Sequence, residues 1–159
     1  ITAFSAVVNG GIYYEPTLLV DSKKEGKRVV SQDTSDKMRS LLRAVVVRGT
    51  GRRANVEGYQ VFGKTGTADK LVNGKYDHKK SISTFISGFP ASNPKYALLV
   101  VFDDPKGLPE TFYHTEAGWN AVPTSKNIIA AVAPQLNVRA DFDLERQKSI
   151  VDAAYKKKK

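Results

Sequence analysis

The chain has 159 residues, of which 41% are apolar and 26% charged, a balance typical of a single globular domain with its own core. It contains no cysteine, and its two histidines, His78 and His114, lie far apart in sequence, so we expect neither a disulfide nor a metal site, and no other cofactor. The formal net charge is +9, but four of these charges are the lysines at positions 156–159 and the other basic residues are scattered without interleaved aromatic residues, which argues against nucleic-acid binding.

Residues 1–48 predict two helices around a pair of extended segments. The first helix is interpreted as a few last turns stopped by Gly10-Gly11, and the second repeats apolar residues at i, i+3, i+4, i+7 and i+8 from Met38 to Val46. The expected elements are a helix over 1–8, extended segments over 12–20 and 28–30, a charged turn over 21–27, and a helix that Asp33 or Thr34 caps and Gly49-Thr50-Gly51 ends.

The rest of the chain predicts three strands and then helices. The third strand is apolar throughout, as expected for a strand covered on both faces, and Asn73-Gly74 indicates a turn in the loop between the first two strands. The expected strands cover 59–67, 81–89 and 96–102, and the expected helices 122–132 and, more weakly, 143–155. This order predicts an α+β fold, an antiparallel sheet with packed helices.

We divide the chain into a main part, 1–140, and a C-terminal helix with a basic tail, 141–159.

Lys64-Thr65-Gly66-Thr67, which ends the first predicted strand, is the most informative motif. The lysine supplies a positive charge, the threonine hydroxyls donate hydrogen bonds, and the glycine lets a ligand approach the backbone. This set suits the binding of a carboxylate beside a reacting carbonyl. Strict alternation along a strand places Thr65 and Thr67 on one face and Lys64 on the other, so all three can serve one cleft only if the strand forms the edge of that cleft.

The segments around this motif make its interpretation more specific. They are Arg48-Gly49-Thr50-Gly51-Arg52, Ala68-Asp69-Lys70, Ser83 to Ala91, Asn93 to Tyr96, Asp103-Asp104-Pro105-Lys106 and Ala117 to Pro123. In this order and spacing they resemble the C-terminal part of the transpeptidase domain of class B penicillin-binding proteins, from about Ile1 to Val138. Thr67-Ala68-Asp69-Lys70 and the strands after it look most like the septal, cell-division branch.

The resemblance implies a peptidoglycan D,D-transpeptidase that cross-links stem peptides through an acyl-enzyme and is the target of β-lactams. It implies catalytic roles for Lys64, which stabilises charge, and Thr67, whose backbone N–H forms half of an oxyanion hole. Thr65 and Thr67 would bind the substrate carboxylate, and Gly66 would give clearance. The implied partners are a stem peptide ending in D-Ala-D-Ala, β-lactam antibiotics and divisome proteins.

The nucleophile of this family is expected in a part of the protein that lies outside this sequence. The family has a Ser-x-x-Lys motif and then a Ser-x-Asn motif before Lys-Thr-Gly, and the 63 residues before Lys64 contain neither. Two downstream matches are interpreted as chance: Ser92 to Lys95 lies in a predicted turn, and Ser125 to Asn127 inside a predicted helix. We therefore expect the 159-residue fragment to be inactive by itself.

Several other residues receive structural interpretations. Trp119 is expected to pack under the helix over 122–132, and His114 to be a surface or loop residue. Asp103 and Asp104 are expected to close a strand with a turn, and Asp69-Lys70 to form a local ion pair. Thr115 and Glu116 stand where the family often has aromatic residues, which argues against an aromatic wall.

The location implied by the resemblance is the bacterial inner membrane, with this part extracytoplasmic, or periplasmic. The family has one membrane anchor before this part; here the longest wholly apolar run covers 97–102, well short of the about 20 residues of a spanning helix, and no signal peptide is visible. A C-terminal fragment of a membrane-anchored protein is expected to look like this.

Two alternatives stay open. One keeps the fold and changes the role, to a β-lactam sensor domain or a serine β-lactamase. The other is a non-enzymatic binding module that uses its basic surface, with the lysine tail attracted to anionic lipid headgroups or wall polymers. Retention on an anionic polymer above physiological salt would favour the second.

Overall fold

The computed structural model describes residues 1–19, 22 and 24–152. Its helices are α1 (Thr2–Val8), α2 (Gln32–Arg48), α3 (Ala121–Gln135) and α4 (Leu144–Asp152). Its strands are β1 (Ile12–Tyr13), β2 (Lys27–Arg28), β3 (Phe62–Val72), β4 (Lys75–Phe89) and β5 (Tyr96–Asp103). Single 3-10 turns lie at Arg52–Ala54, Pro109–Thr111 and Ala117–Trp119. No helix in these described ranges is long and apolar enough to cross a membrane.

The central sheet is antiparallel with the order β3-β4-β5, so β3 lies at one edge. This arrangement, with helices packed on the sheet, confirms the predicted α+β class. The hairpin of β3 and β4 is longer than predicted, because the expected loop is itself paired as far as Asn73-Gly74, where both residues have positive φ. The register shifts after Asp69, and a strand rich in charge such as 75–80 has little intrinsic β-propensity, so pairing with β3 rather than residue type extends it.

The main core lies between α3 and one face of the sheet. Phe85 of β4 and Ile129 of α3 are fully buried in it, and Val100 and Phe102 of β5 pack against it. On the other face, β5 leaves Leu99 and Val101 exposed. Phe62 of β3 belongs to a second cluster that involves α1, α2 and α4. The sheet is therefore covered by helices along one face and only in part along the other.

Helix α2 differs from its prediction at its N-cap and in which residues of its predicted apolar face are buried. The N-cap is Ser31, whose hydroxyl accepts from the Thr34 N–H, so the expected cap at Asp33 or Thr34 is wrong by two or three residues. Leu41 is exposed, whereas Arg43 is buried and donates to Asn55 Oδ1 and the Val61 carbonyl. Burial lowers the pKa of Arg43 to about 10, which still leaves it charged at neutral pH.

The two ends of the chain also depart from the predictions. The extended pair is confined to the two-residue strands β1 and β2, shorter than predicted, because only Ile12–Arg28 and Tyr13–Lys27 pair. Val20, Asp21 and Lys23 of the predicted segments lie outside the described residues. Helix α4 is present, and its Ile150 packs on the second cluster. The end of the predicted helix over 143–155 and the lysines at 156–159 also lie outside the described residues.

Candidate active site

The Lys64 to Thr67 motif lies in the edge strand β3, and its last residue, Thr67, lies two residues before Asp69, after which the register shifts. Thr65 pairs with Phe85 and Thr67 with Ser83, so both threonines share the sheet face that α3 covers. Lys64 pairs with Ile86 and projects from the opposite face, because side chains alternate along a strand. The structure therefore keeps the lysine and the two threonines apart, as alternation predicts, on a strand whose outer edge pairs with no other strand in the described part of the chain.

An open cavity of about 550 Å³ lies against the threonine face of β3. Its wall combines β3, the segment that follows α2 and the loop before α3. The lining residues are Gly49, Thr50, Arg52, Arg53, Thr65, Thr67, His114, Glu116, Ala117, Gly118 and Trp119. The cavity thus contains two of the four motif residues as lining and does not contain Lys64.

Both threonine hydroxyls are held by neighbouring elements. Thr65 Oγ1 lies 2.9 Å from Thr50 Oγ1, which joins β3 to the segment after α2. The Ala117 N–H donates to Thr67 Oγ1 at 3.3 Å, which joins β3 to the loop before α3. Since a hydroxyl donates one hydrogen bond and accepts others, each threonine keeps capacity for a ligand. These contacts fix where the two hydroxyls point.

Gly66 is needed where β3 meets β4. A Cβ on this residue would lie 2.5 Å from Thr84 Oγ1, and Thr84 donates to the Gly66 carbonyl. Any larger residue would push the Thr84 side chain away and disturb the strand between the two threonines. In the structure, the clearance that Gly66 gives is toward β4.

The far wall of the cavity is a stacked group around Trp119. The Arg53 guanidinium carbon lies 3.6 Å from the centroid of the Trp119 ring, the His114 ring stacks on Trp119 at 4.9 Å, and Phe112 meets it edge-on at 5.7 Å. The prediction that Trp119 packs under the following helix is therefore wrong. The argument against an aromatic wall is also wrong, because aromatic side chains outside the expected positions form one.

The loop that carries this wall is also anchored through the Thr115 carbonyl. Ser83 Oγ and Asn120 Nδ2 both donate to the Thr115 carbonyl, at 2.6 and 2.8 Å. Ser83 is fully buried beneath the loop, directly across from Thr67. The expectation of a loop histidine at 114 is correct, and this residue lines the cavity with its Nδ1 3.2 Å from Glu116 Oε2.

The family model of the penicillin-binding protein transpeptidase domain matches residues 1–130. The chain belongs to this family. The chain is 39% identical to stage V sporulation protein D of Bacillus subtilis and 36% identical to a probable peptidoglycan D,D-transpeptidase FtsI of Caulobacter vibrioides. These alignments cover 87% and 89% of the chain but only 23% and 26% of the relatives, so the chain spans about a quarter of their length.

Solved structures of the transpeptidase family share the fold. The transpeptidase domain of Burkholderia pseudomallei penicillin-binding protein 3 superposes with a TM-score of 0.75 at 33% identity, over 88% of this chain and 42% of that one. Penicillin-binding protein 3 of Mycobacterium tuberculosis, complexed with ampicillin, gives a TM-score of 0.72 at 30% identity, over 90% and 35%. The α+β assignment therefore agrees with the family fold.

The serines of the two downstream motif matches lie outside the cavity. Ser92 lies in the turn between β4 and β5, where its N–H donates to Gln60 Oε1. Ser125 lies inside α3, is fully buried and donates to the Ala121 carbonyl. Neither hydroxyl lines the cavity.

The acidic residues after the motif form surface pairs. Asp69 Oδ2 lies 2.5 Å from His78 Nδ1, and Lys70 Nζ lies 2.6 Å from Asp103 Oδ1. The predicted Asp69–Lys70 ion pair is therefore wrong. The hydrogen bond with Asp103 raises the pKa of Lys70, and the hydrogen bond from Lys106 lowers the pKa of Asp104. Asp103 ends β5 and Asp104 follows with a positive φ, which confirms the predicted turn.

Sequence reasoning missed Thr50, Arg53 and Trp119 as parts of the cavity. Arg53 and Trp119 are 66 positions apart, and only the packing of the α3 loop against the end of α2 brings them together. A signal was available in that Trp119 is the only tryptophan of the chain and directly follows Ala117-Gly118, a segment already tied to the family.

Proposed function

We propose that the protein containing this chain is a serine-type peptidoglycan D,D-transpeptidase of the septal kind, and that these residues form one wall of its active site. The observation that carries the proposal is the cavity in which Thr65 and Thr67 stand side by side on the edge strand of a family transpeptidase fold. One relative is named a probable peptidoglycan D,D-transpeptidase, which favours this role over a sensor or a lactamase.

The two threonines bind the terminal carboxylate of the donor peptide. Their hydroxyls lie on one face, two residues apart, and each is already oriented by a contact from another element. A carboxylate placed between them accepts a hydrogen bond from each, and such charge-assisted bonds are shorter and stronger than neutral ones. The D-Ala-D-Ala terminus then lies along β3 in an extended conformation.

The reaction has two acyl-transfer steps. A serine hydroxyl from outside this chain attacks the carbonyl of the penultimate D-Ala; its proton is passed to the departing amine, the peptide bond breaks and the last D-Ala leaves. The amine of a second stem peptide then attacks the ester, forms the cross-linking amide and returns the proton to the serine. Dividing the reaction in this way lowers the barrier of each step.

The oxyanion that forms in each step is bound by backbone N–H groups. The Thr67 N–H supplies one of them and the nucleophile the other, and loss of one such donor costs about 3 kcal/mol of barrier. Lys64 acts from the opposite face of β3. Its ammonium donates to the Thr65 carbonyl at 2.8 Å, so its charge lies against the same strand and reaches the cleft across the free edge.

The relatives also support proposals on ligands and location. Penicillin-binding protein 3 of Mycobacterium tuberculosis is described in complex with ampicillin and with aztreonam, and we extend β-lactam binding to the protein containing this chain. We further propose that it acts outside the cytoplasmic membrane, anchored in it, together with other division proteins.

The test is covalent labelling with fluorescent penicillin. We expect the full-length protein to take up one equivalent, bound through an ester that survives denaturation, and the 159-residue chain to take up none. Full-length protein that folds but takes up no label would refute the transpeptidase role. Stoichiometric labelling of the 159-residue chain would refute the assignment of the nucleophile to another part of the protein and would return attention to Ser92.

A further inference from the structure

The cavity contains two cations that the proposed reaction does not use. Arg52 and Arg53 line it beside Thr65 and Thr67, and both are exposed. Within residues 1–19, 22 and 24–152, no carboxylate forms an ion pair with either guanidinium. Glu116 is the one carboxylate among the described lining residues, so the two guanidiniums leave this wall with a net positive charge, which attracts anions.

Arg53 is held in place, whereas most exposed arginines are free to rotate. Its guanidinium lies on the ring of Trp119, and Nη1 donates to the Gly118 carbonyl at 3.4 Å. Stacking leaves the in-plane N–H groups of a guanidinium available, and these are the groups that bind a carboxylate through two parallel hydrogen bonds. Since the side chain is already ordered, less entropy is lost when a ligand binds.

The rest of the stack adds a flat surface beside this cation. The His114 ring lies within 10° of parallel to the Trp119 ring, and its Nδ1 contacts Glu116, which fixes the ring orientation. The wall is therefore a stack of flat groups, with the Arg53 guanidinium on the Trp119 ring and the Glu116 carboxylate beside His114. A short side chain ending in a carboxylate fits beside the guanidinium of this stack better than a cationic one.

From this geometry we propose that Arg53, held on Trp119, is a specificity-determining residue that binds a second carboxylate of the donor peptide, on the side chain that precedes D-Ala-D-Ala. The proposal rests on the proposed function, because it assumes that Thr65 and Thr67 bind the terminal carboxylate. It assigns a separate role to the facing wall: the threonines recognise the end of the peptide, and Arg53 recognises which residue comes before it.

The test uses the full-length protein and two peptides that differ in one group. Both end in D-Ala-D-Ala, and the preceding residue is glutamate in one and glutamine in the other. Each competes with fluorescent penicillin, and the concentration that halves the labelling rate is measured. We expect the glutamate peptide to halve the labelling rate at about one fifth of the concentration that the glutamine peptide needs. This factor is typical of an exposed guanidinium–carboxylate pair.

Variants assign this difference to one residue. Arg53→Gln should abolish the preference, and Arg53→Lys should restore part of it, because lysine keeps the charge and loses the planar pair of donors. The matched control is Arg139→Gln, which removes the same charge from an exposed residue outside the cavity and should keep the preference. Acetate at the same concentrations should not protect.

The outcomes separate this proposal from the one on which it rests. Equal protection by both peptides, a preference that survives Arg53→Gln, or protection by acetate would overturn the role of Arg53 while leaving the transpeptidase assignment intact. Protection by neither peptide, with normal penicillin labelling, would overturn the carboxylate wall and the binding role of the threonines together. Absence of labelling would count against the transpeptidase itself.

Discussion

At the scale of single residues, the cavity depends on hydroxyls that are positioned by other hydroxyls and by backbone. Thr65 is half-buried and contacts Thr50, which lies on a different element. A substitution at Thr65 therefore has two separable effects, on the ligand and on the contact between β3 and the segment after α2. Valine tests the hydroxyl alone, because it keeps the shape of threonine.

For Thr65→Val in the full-length protein, we expect slower acylation by fluorescent penicillin. A lost hydrogen bond to a charged group costs about 1.5–3 kcal/mol, which corresponds to roughly 10- to 150-fold in the second-order rate constant. The melting temperature should change little, since the Thr50–Thr65 contact is exposed. Thr17→Val, at an exposed threonine outside the cavity, is the control. A wild-type rate for Thr65→Val would contradict the assigned role.

At the scale of elements, the sequence predicts the helices and strands that a local residue pattern determines. The apolar run over 97–102 predicts β5 within one residue at its end, and the spacing from Met38 to Val46 predicts α2. The hairpin extension was missed because pairing, and not residue type, makes 75–80 a strand. The stack was missed because Arg53 and Trp119 meet only after α3 packs on the sheet. Local sequence patterns therefore predict Thr65 and Thr67 as candidate site residues, whereas the facing wall around Trp119 depends on tertiary packing.

Strand β5 also provides a matched pair of positions for a stability test. Val100 pairs with Phe85 and packs on the core under α3, and Val101 is 52% exposed on the opposite face. Val100→Ala should lower the free energy of unfolding of the chain by about 1–2 kcal/mol, from the apolar groups it removes. Val101→Ala should change it by less than about 0.5 kcal/mol. Urea unfolding followed by Trp119 fluorescence measures both.

The difference between the two valines is what the test examines. Equal losses would mean that the face carrying Leu99 and Val101 is covered in solution, and sedimentation at several concentrations would show whether a second copy covers it. A larger loss for Val101 would contradict the placement of the core between α3 and the sheet. Trp119 lies outside β5, so neither change removes the probe.

At the scale of the whole molecule, net charge is a weaker guide to function than its distribution. Of the nine net positive charges, four are the lysines at positions 156–159. Others are paired within the described residues, such as Lys37 with Asp33 and Lys70 with Asp103. Phosphate-backbone binding requires many unpaired cations on one face. Arg52 and Arg53, which line the cavity and form no ion pair within the described residues, suit a single small anion better than a polymer.

This distribution predicts weak, tail-dependent binding to anionic polymers. On immobilised heparin we expect the 159-residue chain to elute below about 0.15 M salt, where the Debye length of about 8 Å screens scattered surface charges. Removal of residues 156–159 should lower the elution salt further, because it removes a contiguous run of charge. Arg53→Gln, which removes one charge from the cavity, should elute like the unmodified chain. Retention above physiological salt without the tail would instead require a basic face on the folded part and would favour a binding module.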